Sequence, residues 1–138
     1  MKKSELSPDI QKFLCEHILS YEQLELLLIM RAEQGVSWTQ DLLCARLSLT
    51  ASLVGAALEG LESERLIQAR AGASGNEYRY VRQNDDIEAT IGRLGAAYRE
   101  NPLPIVKSMS ASAIERLRTA ALRTFADAFI LRKDKDRG

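Results

Sequence analysis

The chain is poor in residues that do chemistry. It contains one histidine, His17, and two cysteines, Cys15 and Cys44, in 138 residues. A zinc site takes about four nitrogen or sulfur ligands, so the Cys15-Glu16-His17 run is too sparse for one, and neither a metal nor a cofactor is expected. The two cysteines read as reduced, largely buried thiols, with a redox pair between them as the alternative. Gly55 and Gly60 fall inside a helical pattern with no Lys-Ser or Lys-Thr after them, which excludes a phosphate-binding glycine loop. No serine–histidine–acid set and no paired carboxylates stand out, so an enzyme is not expected. Net charge of one sign is also missing, since 19 Lys and Arg balance 19 Asp and Glu. A global basic footprint for nucleic acid is therefore excluded, and any attraction to DNA must come from local patches. The longest apolar run, Leu26 to Met30, is far short of the roughly 20 residues of a membrane span. The start, Met1-Lys2-Lys3-Ser4-Glu5, has no apolar region of signal-peptide length, which points to a cytoplasmic chain without membrane contact.

What is present is ordinary for a globular protein: 46% hydrophobic and 28% charged residues, enough to build a core without disulfides. Helix starts punctuate the chain. Ser7-Pro8 offers a cap followed by proline at the first helical position, and Ile10, Phe13, Leu14 and His17 or Ile18 then form a stripe. Ser20-x-x-Gln23 reads as a capping box, with Leu19 and Leu24 spaced for a hydrophobic staple, opening a helix to about Gln34. Ser37-x-x-Gln40 reads as the start of a short helix carrying Leu42, Leu43 and Leu47. Ser48-Leu49-Thr50 is a tight turn with Thr50 as the next cap. The following helix sets Leu53 or Val54, Ala57, Leu58 and Leu61 at the spacing of a buried stripe. The period then changes. Residues 66 to 71 and 77 to 82 read as two strands of a ribbon around a Gly72–Asn76 loop, and Gly35-Val36-Ser37 is a candidate third strand. Asp85-x-x-Glu88 reads as another capping box, opening a helix with Ile87, Ile91, Leu94 and Tyr98 in a stripe. Pro102 and Pro104 bracket a connector. Ser112-x-x-Glu115 starts a last helix with Ile114, Leu117, Ala121, Phe125 and Phe129 inward, and residues 132 to 138 read as a frayed tail.

Three positions carry a resemblance: Gly35-Val36-Ser37 before the short helix, Leu47-Ser48-Leu49-Thr50 at the turn, and Leu58-x-x-Leu61-Glu62-x-x-x-Leu66-Ile67 running into the ribbon. With them, residues 20 to 83 resemble the winged helix-turn-helix domain of bacterial MarR-like and ArsR-like regulators. The resemblance implies a mainly α fold with a small β-wing, flanked by an N-terminal helix in residues 1–19 and by C-terminal helices in residues 84–138. It implies a transcriptional regulator that binds DNA as a homodimer, with residues 7 to 18, 85 to 100 and 112 to 131 available for association.

Two departures from that pattern stand out. Arg65 occupies the place where glycine usually ends the recognition helix in the left-handed conformation, so either it pays a steric cost of about 1 kcal/mol or the helix ends differently. The outward side of that helix, Ala51, Ser52, Gly55, Ala56 and Glu59, contains none of the Arg, Lys, Asn or Gln that read base edges bidentately, and Glu59, Glu62 and Glu64 repel phosphates. The wing has the opposite character. Arg65, Arg70, Arg79 and Arg82 surround it against Glu77 alone, with Asn76 at its tip. The candidate DNA contacts are Arg70, Asn76, Arg79 and Arg82 on the wing, with Ser52 and the hydroxyls of Thr39, Ser48 and Thr50 as phosphate donors. Each has a plainer explanation: charges on a ribbon edge discourage strand pairing between molecules, and hydroxyls before helices are caps. Trp38, Tyr78 and Tyr80 read as core. A winged helix that serves as a protein-interaction module is therefore the alternative to a DNA-binding regulator.

Overall fold

The computed structural model describes residues 6–136, and the side chains of residues 6–128. Six helices and three short strands follow one another as α1 (Pro8–His17), α2 (Tyr21–Ala32), β1 (Trp38–Thr39), α3 (Gln40–Leu47), α4 (Ala51–Ser63), β2 (Ile67–Gly72), β3 (Gly75–Tyr80), α5 (Asp85–Glu100) and α6 (Leu103–Asp136). This is a winged helix with flanking helices, as the element order in the sequence implies.

The helix starts have local causes. Ser7 accepts from the Ile10 N–H and Pro8 sits in the first turn of α1. Ser20 accepts from the Gln23 N–H at 3.2 Å. Gln23 answers one residue further out than a capping box would, accepting from the Leu19 N–H at 2.8 Å. The Leu19–Leu24 staple does not close, because Leu19 is 58% exposed. Gln23 is instead buried beneath α4, where a Cβ on Gly60 would lie 2.1 Å from its amide nitrogen. Glycine at 60 is what lets α2 and α4 come together with a polar side chain between them.

Several starts differ from expectation, each because a distant partner takes the local residue. The short helix is capped by Thr39, which accepts from the Leu42 N–H at 3.2 Å, rather than by Ser37. Trp38 and Thr39 pair with Tyr78 and Glu77, so the third strand lies there instead of at Gly35–Ser37. The Trp38 ring is buried, its indole N–H donating to the Glu33 carbonyl. In α3 only Leu43 is fully buried, and Leu42 is 48% exposed. In α4 the stripe runs through Val54, Ala57, Leu58 and Leu61, leaving Leu53 44% exposed.

The strands form one antiparallel sheet in the order β1-β3-β2. The wing loop is shorter than the five residues expected. Gly72 already pairs with Gly75, leaving Ala73 and Ser74 between the strands, and Gly75 closes the turn at φ 113°. Tyr80 is buried and Tyr78 packs against the core, as aromatics in a ribbon should.

Helix α5 is capped by Asn84, which accepts from the Ile87 N–H at 2.9 Å, rather than by Asp85. The Glu88 that would complete an Asp85 box is engaged with Arg31 and Tyr80. The expected connector and Ser112 start are replaced by one continuous helix from Leu103 to Asp136. Pro104 does not interrupt it, because a proline in the first turn has no intrahelical N–H to lose. The stripe expected to face inward is bare: Ile114 is 57% exposed, Leu117 72% and Phe125 71%, and Ala121 is exposed too. Phe129 lies outside the described side chains, and the expected frayed tail is helical through Asp136. Cys15 is exposed and Cys44 half-buried, both free, so the expectation of largely buried thiols fails for Cys15, which lies off the Ile10–Phe13–Leu14 stripe of α1. Among the described residues no single helix is long and apolar enough to cross a membrane, and no cluster of three or more His, Cys, Asp or Glu could hold a metal.

Candidate nucleic-acid interface

The helix-turn-helix is α3, a three-residue turn and α4. Ser48 ends α3 in the left-handed region at φ 55°, and the Leu49 N–H returns to the Cys44 carbonyl at 3.1 Å. This bond turns the chain so that Thr50 can cap α4, accepting from the Leu53 N–H at 3.3 Å. The side chain of Gln40 ties the two helices together by donating to the Ala51 carbonyl at 2.8 Å. Its amide also lies 3.3 Å from where a Cβ on Gly55 would stand, so Gln40 lies over the middle of α4. Arg46, the one cation within α3 and α4, pairs with Glu33 at 2.7 Å. Helix α4 itself contributes no cation to its surface.

The far end of α4 closes in a Schellman motif. Arg65 adopts φ 60°, its N–H bonds the Glu62 carbonyl at 2.9 Å, and the Leu66 N–H bonds the Leu61 carbonyl at 3.0 Å. The geometry is the one glycine favours, so the steric cost expected of an arginine here is real. Gln83, just past the wing, donates to the Glu64 and Arg65 carbonyls, both at 2.8 Å, and clamps that ending. Glu64 also takes the His17 Nδ1 at 2.7 Å, joining α1 to the same corner.

The pairing register sorts the wing residues by face. Ile67 pairs with Tyr80, Ala69 with Tyr78 and Ala71 with Asn76, and this is the face toward the core. Gln68 pairs with Arg79 and Arg70 with Glu77 on the other face. Thr39, paired with Glu77, joins that outer face. Arg70, Arg79 and Thr39 thus surround Glu77 on the outer face, and both arginines are exposed. Asn76, though exposed at the tip, belongs to the opposite face. Arg82 stands apart, beyond β3, with its guanidinium 3.0 Å from Asp85. That pair is 65% and 93% exposed, so it holds the arginine only weakly. Ser48, Thr50 and Ser52 lie at the entry to α4, all exposed, with the Thr50 hydroxyl engaged as a cap.

Behind the wing a polar cluster anchors it. Arg31 of α2 meets Glu88 of α5 at 2.9 Å, and Tyr80 of β3 donates its hydroxyl to the other oxygen of the same carboxylate. Burial, reinforced by the bond to Glu88 and its charge, holds the Tyr80 hydroxyl above the usual tyrosine range. Sequence reasoning missed Gln83 and Arg31, and gave Gln40 and Glu88 local capping roles in place of these long-range ones. Their partners lie 8 to 57 residues away, beyond the reach of a local pattern.

Solved structures share this architecture. The chain resembles the MepR–DNA complex of S. aureus with 17% sequence identity and a TM-score of 0.53, over 86% of this chain and 85% of that one. It resembles MepR described as a transcription regulator of the Staphylococcus aureus multidrug efflux pump MepA with 18% identity and a TM-score of 0.53, over 86% and 87%. It resembles a point variant of S. aureus MepR bound to an oligodeoxyribonucleotide with 17% identity and a TM-score of 0.52, over 86% of each chain. At this identity the likeness establishes the fold alone, a winged helix with flanking helices. No family model matches the sequence, and no curated protein matches it.

Proposed function

We propose that the chain is a transcription regulator that binds DNA as a homodimer, in the cytoplasm of a bacterium. The observation that carries this reading is the exposed pair Arg70 and Arg79 on the outer face of the wing. The fold supports it, being one that another protein brings to DNA over most of its length. The arginines neutralise phosphates, with Arg82 and the hydroxyls of Thr39, Ser48, Thr50 and Ser52 as further backbone contacts and Asn76 reaching from the wing tip. Such contacts give affinity with little sequence information. Residues 20–83 bind, while residues 1–19 and 84–138 associate. The bare apolar stripe of α6 supports association, since contiguous apolar surface on a soluble chain marks an interface.

A duplex from the region upstream of the gene, titrated at two salt concentrations, tests the reading. Binding should weaken steeply with salt. Arg70→Ala with Arg79→Ala should weaken it further and lower the log–log salt slope by about 2 for each protomer, near 0.9 for each phosphate no longer neutralised. Salt-sensitive binding that is unchanged by the double substitution would remove the wing from the interface. One observation favours a second reading, a protein-interaction module: no charged residue lies between Arg46 and Glu59, and Glu59 and Glu62 are acidic and exposed. Absence of binding to any duplex at low salt would select it.

A further inference from the structure

The entry half of α4 is chemically unusual for a helix offered to DNA. Ser52, Ala56 and Glu59 line up on its outer face at the i, i+4, i+7 spacing, all exposed, with Leu53 beside Ala56 at 44% exposure. Gly55 adds no side chain, and Gln40, which could have reached a base, is bound to the Ala51 carbonyl. From Ala51 to Ala56 the surface is therefore methyl and methylene, with one hydroxyl and no charge. In a major groove such a surface cannot form a bidentate pair. It is complementary to one base feature, the 5-methyl group of thymine, which projects into the groove and is read by apolar contact.

Resting on the DNA-binding reading above, we infer that α4 selects thymine by its methyl group, through Leu53, Ala56 and Ala51, while the wing arginines supply affinity. Glu59 and Glu62 lie further along α4 and are repelled by phosphates. They limit entry to the first turns of the helix, the part without charge. The preferred duplex is rich in thymine where α4 docks and indifferent to donor–acceptor pattern there.

The test separates this inference from the reading beneath it. Duplexes are selected from a random pool with the full chain at low salt. The enriched duplex is then made with thymidine or with deoxyuridine, which keeps every hydrogen-bonding edge and loses only the methyl. Binding should weaken about fourfold for each contacted methyl removed, from ~0.8 kcal/mol per buried carbon group. Leu53→Ala should narrow the gap between the two duplexes and leave the salt slope unchanged. If that variant melts too low to assay, Ala56→Gly at an exposed position gives the same readout. Equal affinity of the unmodified protein for both duplexes, with salt-sensitive and Arg70- and Arg79-dependent binding retained, overturns methyl reading and leaves DNA binding standing. No binding to either duplex removes both.

Discussion

Helices α5 and α6 repeat apolar residues at the same spacing and bury them very differently. In α5, Ile91 and Leu94 are fully buried, and Ile87 and Tyr98 pack against them. Among the described side chains of α6, Ile105 alone is fully buried, with Met109 packed against the core, while Ile114, Leu117, Leu122 and Phe125 face outward. The difference lies in what stands opposite. Gly92 and Gly95 bring α5 close to Arg31 and Leu28 of α2. Two polar clusters then hold the pair: Arg31–Glu88–Tyr80, and Tyr98, which bonds the Tyr21 hydroxyl at 2.6 Å and Glu25 at 2.8 Å. Helix α6 has the bond from Arg116 to the Leu19 carbonyl at 3.4 Å, and its described side chains beyond it, residues 117–128, are all exposed. Amphipathic spacing thus says that a helix has an apolar side, and leaves open whether the same chain covers it.

The largest break in this comparison is Leu94→Ala. A fully buried leucine in α5 leaves a cavity when truncated, and a loss of about 2–5 kcal/mol is expected in a denaturant titration. Leu117→Glu should behave oppositely. On the exposed stripe of α6 it should leave the stability of an isolated chain nearly unchanged, yet weaken self-association by about a hundredfold by burying an unpaired charge. Sedimentation at several concentrations measures this, and an unaltered dimer would place the interface elsewhere. Deleting residues 112–138 should likewise give a monomer or an insoluble product by light scattering.

Glu88→Gln sharpens the α5 side. It removes the charge from a partly buried pair with Arg31 and from the acceptor of Tyr80, and a loss of about 1–2 kcal/mol is expected. Arg65→Gly is smaller and of opposite sign. It relieves a left-handed arginine, so the denaturant midpoint should rise at constant slope by about 1 kcal/mol or slightly less. A lower midpoint would mean that the arginine side chain makes a contact worth more than its strain.

The smallest effect is one of pH. Burial raises the Tyr98 hydroxyl, and its bonds to Tyr21 and Glu25 and the Glu25 charge add to the rise. A raised folded value favours the neutral phenol in the folded state. Its contribution is fully present below the unfolded value near 10 and is lost as pH rises from there toward the folded value. Thermal melting should therefore be insensitive to these tyrosines from pH 7 to 9 and fall at higher pH. Tyr98→Phe should reduce that alkaline loss.

Much of the winged domain was legible because its causes are local. Ser7, Ser20 and Thr50 cap the helices expected of them, since a cap needs only an N–H three residues on. Arg65 was legible as one of two possible helix endings from its place in the winged-helix resemblance, where glycine usually stands before Leu66-Ile67, and the structure shows the left-handed one. Of the candidate DNA contacts, residue type could suggest the wing arginines. Only strand register could show that Arg70 and Arg79 share a face with Glu77 while Asn76 lies on the other.

By itself, the sequence determined where apolar periodicity changes from helix to ribbon, which residues can cap, and that α4 has no bidentate reader. These depend on side-chain chemistry within about one turn of the chain. Tertiary structure decided the rest. Thr39 rather than Ser37 begins α3 because β3 pairs with Trp38 and Thr39. Asn84 rather than Asp85 caps α5, with Glu88 engaged by Arg31 and Tyr80 from 57 and 8 residues away. Ser112 starts nothing, since α6 is already helical from Leu103. For Thr39 and Asn84 the local groups had more than one satisfactory outcome, and the choice among them depended on partners that only the folded chain brings within reach.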